Sequence, residues 1–279
     1  MNILIADSGS TKTDWVLVTD KGEVRAREKS EGINPVHQQQ ETIAGILSQL
    51  PETLARPDRV CFYGSGLRPE YRNMMRQQLA KQLDADPDSV EAEGDLLGAA
   101  RALCCREEGI ACILGTGANS CVYDGSSIVA NTPPMGYVLG DEGSGAVIGR
   151  NLLNGLYKGA LPEELRKLFE ETYGMTLAEV IERVYRKPLA NRWLASLSPF
   201  ISQHKGEYPE LGELVVRSFA DFLRNNIRPY RRNELPLSAT GSIAHYYHDE
   251  LARACTDEGL LLKHTCASPM EGLIRYHTI

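Results

Sequence analysis

The sequence predicts an α/β protein built from two similar lobes with a cleft between them. Three observations predict this fold class. A turn of small and hydroxyl residues at 7–14 joins two apolar, strand-like segments, and a loop of the same kind at 115–120 joins two more. The predicted elements repeat in order, since three strands followed by α-β-α-β-α occur twice. The length of 279 residues fits one large or two medium domains.

The first half of the chain contains five predicted strands and three predicted helices. The strands, at 2–6, 13–19, 23–29, 59–63 and 89–92, are short segments bounded by turn residues. The helices are expected near 37–50, 69–83 and 96–106. Because the first three strands are joined by tight turns, we expect them to form an antiparallel meander.

The second half repeats this order with additional helices. Strands are predicted at 111–114, 119–124, 127–131, 235–239 and 260–266. Helices are predicted at 143–156, 162–172, 176–185, 189–204, 208–229, 243–258 and 269–276. Thr240-Gly241-Ser242 is expected to cap the helix that begins at Ile243.

Composition excludes several classes of function. The chain has 30 Lys and Arg against 37 Asp and Glu, a net charge of −7, which argues against a dedicated nucleic-acid surface. No apolar stretch is long enough to cross a bilayer, and charged and turn residues from Asp7 onward do not fit a signal peptide. The seven cysteines are an odd, scattered set, and Cys104-Cys105 is read as packing. We therefore expect a cytoplasmic protein with no membrane or nucleic-acid partner.

The two glycine-rich loops indicate phosphate binding. Glycine lets backbone N–H groups approach a charged phosphate closely, and the hydroxyls of Ser10, Thr11 and Thr116 add donors. Asp7, at the end of the first strand, suits a hydrated Mg²⁺ that touches phosphate. Ordinary hairpin turns with polar tips are the alternative for each loop.

Three further positions at the ends of predicted elements carry candidate chemistry. Asp95 is the candidate general base, because a carboxylate there can accept the proton of an attacking hydroxyl. The carboxylates of Asp141-Glu142 are suited to hold sugar hydroxyls or metal-bound water. Gly241 is suited to lie against adenosine or phosphate. Each also has a purely structural interpretation as a residue of a helix start.

Four segments together resemble a known family. They are Asp7-Ser8-Gly9-Ser10-Thr11-Lys12-Thr13-Asp14, Leu114-Gly115-Thr116-Gly117-Ala118-Asn119-Ser120, Gly136-Tyr137-Val138-Leu139-Gly140-Asp141-Glu142-Gly143-Ser144 and Ala239-Thr240-Gly241-Ser242. In this order they are similar to the N-acetylglucosamine kinase branch of the BadF/BadG/BcrA/BcrD ATPase family, within the actin/sugar kinase/heat-shock chaperone ATPase superfamily. The resemblance covers essentially the whole chain, and its most specific part is Leu139-Gly140-Asp141-Glu142-Gly143-Ser144.

The resemblance implies two RNase H-like, actin-like ATPase lobes with a nucleotide cleft between them. It implies lobes at 1–109 and 110–267, with a final helix in 268–279 that packs back on the first lobe. It further implies an ATP-dependent and Mg²⁺-dependent kinase that phosphorylates the 6-hydroxyl of an amino sugar. N-acetylglucosamine or glucosamine would be the acceptor, and a homodimer would fit the family.

The resemblance also assigns roles to individual residues. ATP would be bound by Ser10, Thr11, Lys12, Thr116, Gly117, Gly241 and Ser242. The sugar would be bound by Asn34, Ser65, Asn119, Gly136 and Asp141, with Asp95 as the base and Asp7 at the metal. Pro134-Met135-Gly136 differs from the Gly-Trp/Ser-Gly that is frequent in the family, so the wall of the sugar pocket differs.

Two other classes of function remain open at the level of the sequence. One is an ATPase activator of a 2-hydroxyacyl-CoA dehydratase or benzoyl-CoA reductase system, which needs cysteines for an iron–sulfur cluster, with Cys104 and Cys105 the only candidate pair. The other is a sugar-sensing regulator. A kinase would consume ATP only with a sugar, an activator would contain iron, and a regulator would do neither.

Overall fold

The structure is a computed structural model that describes residues 1–9 and 11–278. The strands of the first sheet are β1 (Asn2–Ser8), β2 (Lys12–Thr19), β3 (Val24–Glu31), β4 (Arg59–Gly64) and β5 (Val90–Gly94). Their order is β3-β2-β1-β4-β5. The first three strands form an antiparallel meander, and β4 and β5 continue the sheet in parallel with β1. This is the topology of an RNase H-like domain.

A second sheet has the same order. Its strands are β6 (Glu108–Leu114), β7 (Ala118–Asp124), β8 (Ile128–Ala130), β9 (Leu237–Thr240) and β10 (Leu262–Cys266). They are arranged β10-β9-β6-β7-β8, with β9 parallel to both β6 and β10. The repeat that the sequence predicts is therefore confirmed in the sheets, and so is the α/β fold class of two RNase H-like lobes.

The helices follow the strands in the predicted order. Those before the second sheet are α1 (Gln40–Ser48), α2 (Pro69–Leu83) and α3 (Asp95–Cys104). The others are α4 (Gly136–Leu139), α5 (Gly145–Tyr157), α6 (Glu163–Tyr173), α7 (Leu177–Tyr185), α8 (Ala190–Ala195), α9 (Ser198–His204), α10 (Pro209–Phe222), α11 (Ser242–Tyr246), α12 (His248–Asp257) and α13 (Met270–Thr278). The chain also contains a π-helical turn (Leu223–Ile227) and short 3₁₀ turns (Glu52–Leu54, Pro87–Ser89 and Arg228–Tyr230). None of the described helices has the length and apolar character of a membrane span.

The chain divides into two compact units. The first contains 1–108, 123–129 and the C-terminal segment from Ser268, and the second contains 109–122 and 130–267. In the first unit, the side chains of β1 alternate between the two faces of the sheet. Leu4 and Ala6 pack with α1 and α2 on one face, and Ile3 and Ile5 pack with α3 and α13 on the other.

Two predicted helices are altered by local backbone constraints. The predicted helix 189–204 is two helices, α8 and α9, and Pro199 lies in the first turn of the second, where the missing N–H is tolerated. The predicted helix 243–258 is interrupted at Tyr247, whose φ of −115° and ψ of 36° are not helical. The predicted turn Thr240-Gly241-Ser242 does begin this helix, with Gly241 as the N-cap residue and no side-chain cap bond there.

The approach of α13 to α3 in the first unit requires a glycine. A Cβ atom on Gly272 would lie 2.3 Å from the carbonyl oxygen of Ala102 in α3, and that contact involves backbone atoms that cannot rotate away. The two helices are therefore held at a separation that admits only a hydrogen at this position.

We expect Gly272→Ala to lower the free energy of unfolding by about 1–3 kcal/mol, because the added methyl forces α13 away from α3. The matched control is Gly45→Ala in α1, where a Cβ meets nothing within 4 Å. That change should raise stability by up to about 1 kcal/mol, since alanine is the better helix former. Chemical denaturation of both variants measures the difference, and equal effects would contradict the close-packing argument.

Candidate active site

One group of candidate residues lies at the carboxyl edge of the first sheet. In the parallel register of β1, β4 and β5, Ser8 is paired with Gly64 and Gly64 with Gly94. The Ser65 N–H donates to the Ser8 carbonyl at 2.8 Å, which extends this alignment by one residue. The three strand ends are thus level, and the residues next to them in sequence are brought to one edge. Ligands of open α/β sheets bind at such edges.

Asp95 is the first residue of α3 and is oriented by three hydrogen bonds. The Ser65 hydroxyl and the backbone N–H groups of Asp95 and Leu96 donate to its carboxylate. Burial nevertheless raises the pKa of Asp95 above its ordinary value, because desolvation outweighs these bonds. The arrangement gives a fixed carboxylate that is more basic than an exposed one.

Asp7 lies near Asp95 and shares its environment. Burial, together with the negative charges of Asp95 and Asp14, raises the pKa of Asp7 to about 7, although Lys12 opposes this shift. The Lys12 ammonium is paired with Asp14 at 2.7 Å and its side chain is 61% exposed, so it offsets the negative charge only in part. Two nearby carboxylates of raised pKa form an electrostatically unfavourable pair that a bound cation would relieve.

Asn34 is placed beside this edge by its own loop. Its backbone N–H donates to Gln38 Oε1 at 2.8 Å, and Gln38 Nε2 donates to the Gly32 carbonyl at 2.9 Å. The side chain lies against Gly66, where a Cβ would come within 2.3 Å of Asn34 Oδ1 and where φ is +71°. Ser8 Oγ accepts the Ile33 N–H at 2.9 Å, which ties this loop to the end of β1. The predicted residues Asp7, Asn34, Ser65 and Asp95 are therefore together in the first unit.

The other predicted residues of the first loop have a different position. Thr11 is exposed and its carbonyl accepts the Gly32 N–H at 3.1 Å. Lys12 is engaged by Asp14, as described above. Ser10, which the sequence analysis assigned to ATP, lies outside the described residues.

A second group of candidate residues lies in and around the loop between β6 and β7. The Gly145 N–H donates to the Gly115 carbonyl at 2.8 Å, and the Ala146 N–H donates to the Thr116 carbonyl at 3.2 Å. Ser144 Oγ accepts the Val147 N–H at 3.2 Å. The first N–H groups of α5 are thus used to hold the loop and to cap the helix. Donors for a ligand must come from the loop and not from the start of α5.

Asp141 connects this loop with the segment around α4. Its carboxylate accepts the N–H groups of Ala118 and Gly136, and a Cβ on Gly117 would lie 3.1 Å from its Oδ2. Burial raises the pKa of Asp141 to about 6, and the neighbouring Glu142 adds to the effect. Asp141 itself has a φ of 54°. Asp141 therefore lies beside both of the predicted residues Gly117 and Gly136.

Asn119 and Gly241 flank the same loop. Asn119 Oδ1 accepts the Ser120 N–H at 2.9 Å and lies 3.0 Å from Asn131 Nδ2. Gly241 has a φ of 117°, and a Cβ there would lie 2.3 Å from the carbonyl oxygen of Leu114 at the end of β6. Ser242 follows as an exposed first residue of α11. Only glycine allows the β9–α11 turn to lie this close to the loop.

The structure also identifies residues that sequence reasoning missed. Asn225 Nδ2 and Asn226 Nδ2 donate to the two carboxylate oxygens of Glu142 at 2.9 and 3.2 Å. Both asparagines lie in the π-helical turn, and the Asn226 carbonyl accepts the Thr132 hydroxyl at 2.9 Å. Two adjacent asparagines inside a predicted helix were the available signal, since asparagine is a poor helix former. π-turns are frequent at functional sites.

We expect stability to depend on pH through Asp7. Its pKa of about 7 in the folded protein exceeds the ordinary value of 3.8, so ionisation disfavours folding. This cost is absent below pH 4, grows as pH rises, and is complete above pH 7. Asp7→Asn should therefore stabilise the protein at pH 8 by about 1–3 kcal/mol in EDTA, and much less at pH 4.

Thermal melts at both pH values measure this difference. Asp88→Asn is the matched control, because the Asp88 side chain is 96% exposed. A stabilisation by Asp7→Asn that is equal at both pH values would contradict the electrostatic cause.

Comparison with known proteins shows a close similarity over the full chain. A crystal structure from Porphyromonas gingivalis, of a protein provisionally assigned as an N-acetylglucosamine kinase, is 47% identical. The match covers 99% of this chain and 98% of that chain, with a TM-score of 0.92. No model of a protein family matches the chain. No curated protein matches it either.

More distant solved structures share the fold. One from Chromobacterium violaceum, also provisionally assigned as an N-acetylglucosamine kinase, is 20% identical over 99% of this chain and 98% of that chain, with a TM-score of 0.70. A ROK family glucokinase from Streptomyces griseus, in complex with glucose and AMPPNP, is 13% identical over the same shares, with a TM-score of 0.59.

Proposed function

Because this chain belongs to the N-acetylglucosamine kinase-like family of sugar kinases, we propose that it transfers the γ-phosphate of ATP to the 6-hydroxyl of an amino sugar. N-acetylglucosamine or glucosamine is the proposed acceptor. The observation that carries this proposal is the placement of Asp95 and Asp7 at one sheet edge beside Asn34 and Ser65. As lobes of the enzyme we propose 1–109, with the final helix in 268–279, and 110–267.

Asp95 is the proposed general base. A base for a sugar hydroxyl must be ionised, must be held in position, and must have a pKa near the working pH. The Ser65 hydroxyl and the first N–H groups of α3 orient the Asp95 carboxylate, and burial raises its pKa. In this proposal Asp95 accepts the proton of the 6-hydroxyl as that oxygen attacks the γ-phosphorus.

Asp7 is the proposed residue at the metal. Mg²⁺ in kinases is held by one or two carboxylates, by waters and by the phosphates of the nucleotide. Within residues 1–9 and 11–278 no three His, Cys, Asp or Glu side chains form a metal-binding group. The raised pKa of Asp7 beside Asp95 supports a cation at this edge. When bound, Mg²⁺ would neutralise charge on the phosphates.

The second unit supplies the proposed contacts to phosphate, adenosine and sugar. Thr116 and Gly117 offer a hydroxyl and backbone donors in a loop that α5 holds in place. Gly241 and Ser242 are proposed to lie at the adenosine. Asn119, Gly136 and Asp141 are the proposed sugar contacts of this unit. In the first unit, Asn34 and Ser65 are the proposed sugar contacts, with Thr11 and Lys12 at the phosphates.

A coupled assay of ADP release tests this function. Purified protein with MgATP is given N-acetylglucosamine, glucosamine, N-acetylmannosamine, N-acetylmuramic acid or glucose in turn. A rate that depends on one amino sugar supports the kinase. ADP release that is independent of every sugar, with iron in the anaerobically purified protein, supports the ATPase activator instead. Sugar binding with no ADP release supports a regulator.

We expect Asp95→Asn to lower kcat by at least about 100-fold while nucleotide affinity stays nearly unchanged, because the amide cannot accept the proton. The matched control is Asp249→Asn, which also removes a charge from the first turn of a helix but is exposed in α12. Rapid-quench kinetics and calorimetric titration of ADP measure the two quantities. Full activity in Asp95→Asn would show that this residue is not the base.

A further inference from the structure

A concave groove lies on the second unit, where α5, α7 and α4 meet. Its volume is about 610 Å³, which lies within the range of small-molecule pockets. Its walls are mostly apolar and include Val138, Leu153, Ile181, Val184 and Tyr185. Neither the fold nor the proposed kinase reaction accounts for an apolar concavity at this place.

The α7 wall of the groove is unusually apolar for an exposed helix. Leu177, Ile181 and Tyr185 are 45%, 50% and 82% exposed, and Val180 is the residue of α7 that is buried. The helix is well anchored, because Thr176 and Glu179 form a capping box at its start. An ordered helix with an apolar face open to solvent indicates a surface that binds a ligand.

The charges of the groove have one sign. Arg150 and Lys158 are the charged residues among those that line it, and both are cations on exposed positions of α5 and its end. The acidic residues on α7 are engaged elsewhere, since Glu179 belongs to the capping box and Glu182 pairs with Lys187 at 3.0 Å. The groove therefore complements an apolar body with a negatively charged group.

One cation also shapes the groove. Arg150 Nη1 donates to the Tyr137 carbonyl of α4 at 2.8 Å, so α4 is fixed against α5 and Tyr137 forms part of the wall. Lys158 is the other cation that lines the groove. It is the more suitable residue to substitute in a test, because the hydrogen bond from Arg150 to α4 would remain.

We propose that this groove binds a small amphipathic anion: a molecule with an apolar or aromatic body and one carboxylate, sulfonate or phosphate group. The apolar body lies against α7, and the anionic group lies between Arg150 and Lys158. The site is separate in its residues from those proposed to hold ATP and the sugar, and the proposal does not depend on the kinase activity.

Fluorescence titration with 8-anilinonaphthalene-1-sulfonate tests the proposal, with decanoate and decanol as competitors. We expect saturable binding of one probe per chain, displaced by decanoate at concentrations at least about tenfold below those of decanol. Ile181→Asn and Lys158→Gln should each weaken probe binding about fivefold or more. Leu261→Asn is the matched control, because Leu261 is 64% exposed in the same unit but does not line the groove.

Three outcomes would overturn the proposal. They are the absence of saturable binding, equal displacement by decanol and decanoate, and binding that Ile181→Asn and Lys158→Gln leave unchanged. Sedimentation velocity of the same variants identifies a different occupant. If Ile181→Asn abolishes self-association but not probe binding, the groove is a contact between copies of this chain. Thermal melts confirm that each variant is folded before the titration is interpreted.

Discussion

The parallel register of β1, β4 and β5 is the constraint on which the candidate site of the first unit depends. It makes Ser8, Gly64 and Gly94 level at one edge, so that the residues beside them in sequence converge. Asp7 and Asp95 are far apart in sequence, yet this register brings them close enough for the negative charge of Asp95 to raise the pKa of Asp7. A slip of one residue would turn every side chain of a strand to the opposite face. The buried faces of β1, with Leu4 and Ala6 on one side and Ile3 and Ile5 on the other, prevent such a slip.

In the second unit, backbone hydrogen bonds position the candidate residues. Its loop at 115–117 is held by N–H groups from the start of α5, and Asp141 lies over Gly117. Helix ends ordinarily leave such N–H groups without partners, and here the loop carbonyls and the Ser144 hydroxyl use them. These hydrogen bonds restrict the loop, which in the proposed kinase would lower the entropy cost of ordering it around a phosphate. Because Gly241 has no side chain, the β9–α11 turn can lie against the end of β6.

The π-helical turn after α10 is the least regular part of this arrangement. It places Asn225 and Asn226 so that both donate to Glu142, the neighbour of Asp141. It also directs a backbone carbonyl to the Thr132 hydroxyl. Two amide donors compensate the carboxylate of Glu142, which otherwise adds negative charge beside Asp141. The turn thus couples the helical part of the second unit to the acidic segment at 141–142.

The sequence by itself determined the order of strands and helices, the duplication of the fold and most of the candidate site. These follow from local rules: apolar alternation, turn residues, and motifs such as Leu139-Gly140-Asp141-Glu142-Gly143-Ser144 that are contiguous in the chain. Tertiary structure alone decided the pairing of Glu142 with two asparagines and the raised pKa values of Asp7 and Asp141. The physical reason is that burial and the approach of residues distant in sequence set these properties, and no local pattern encodes either of them.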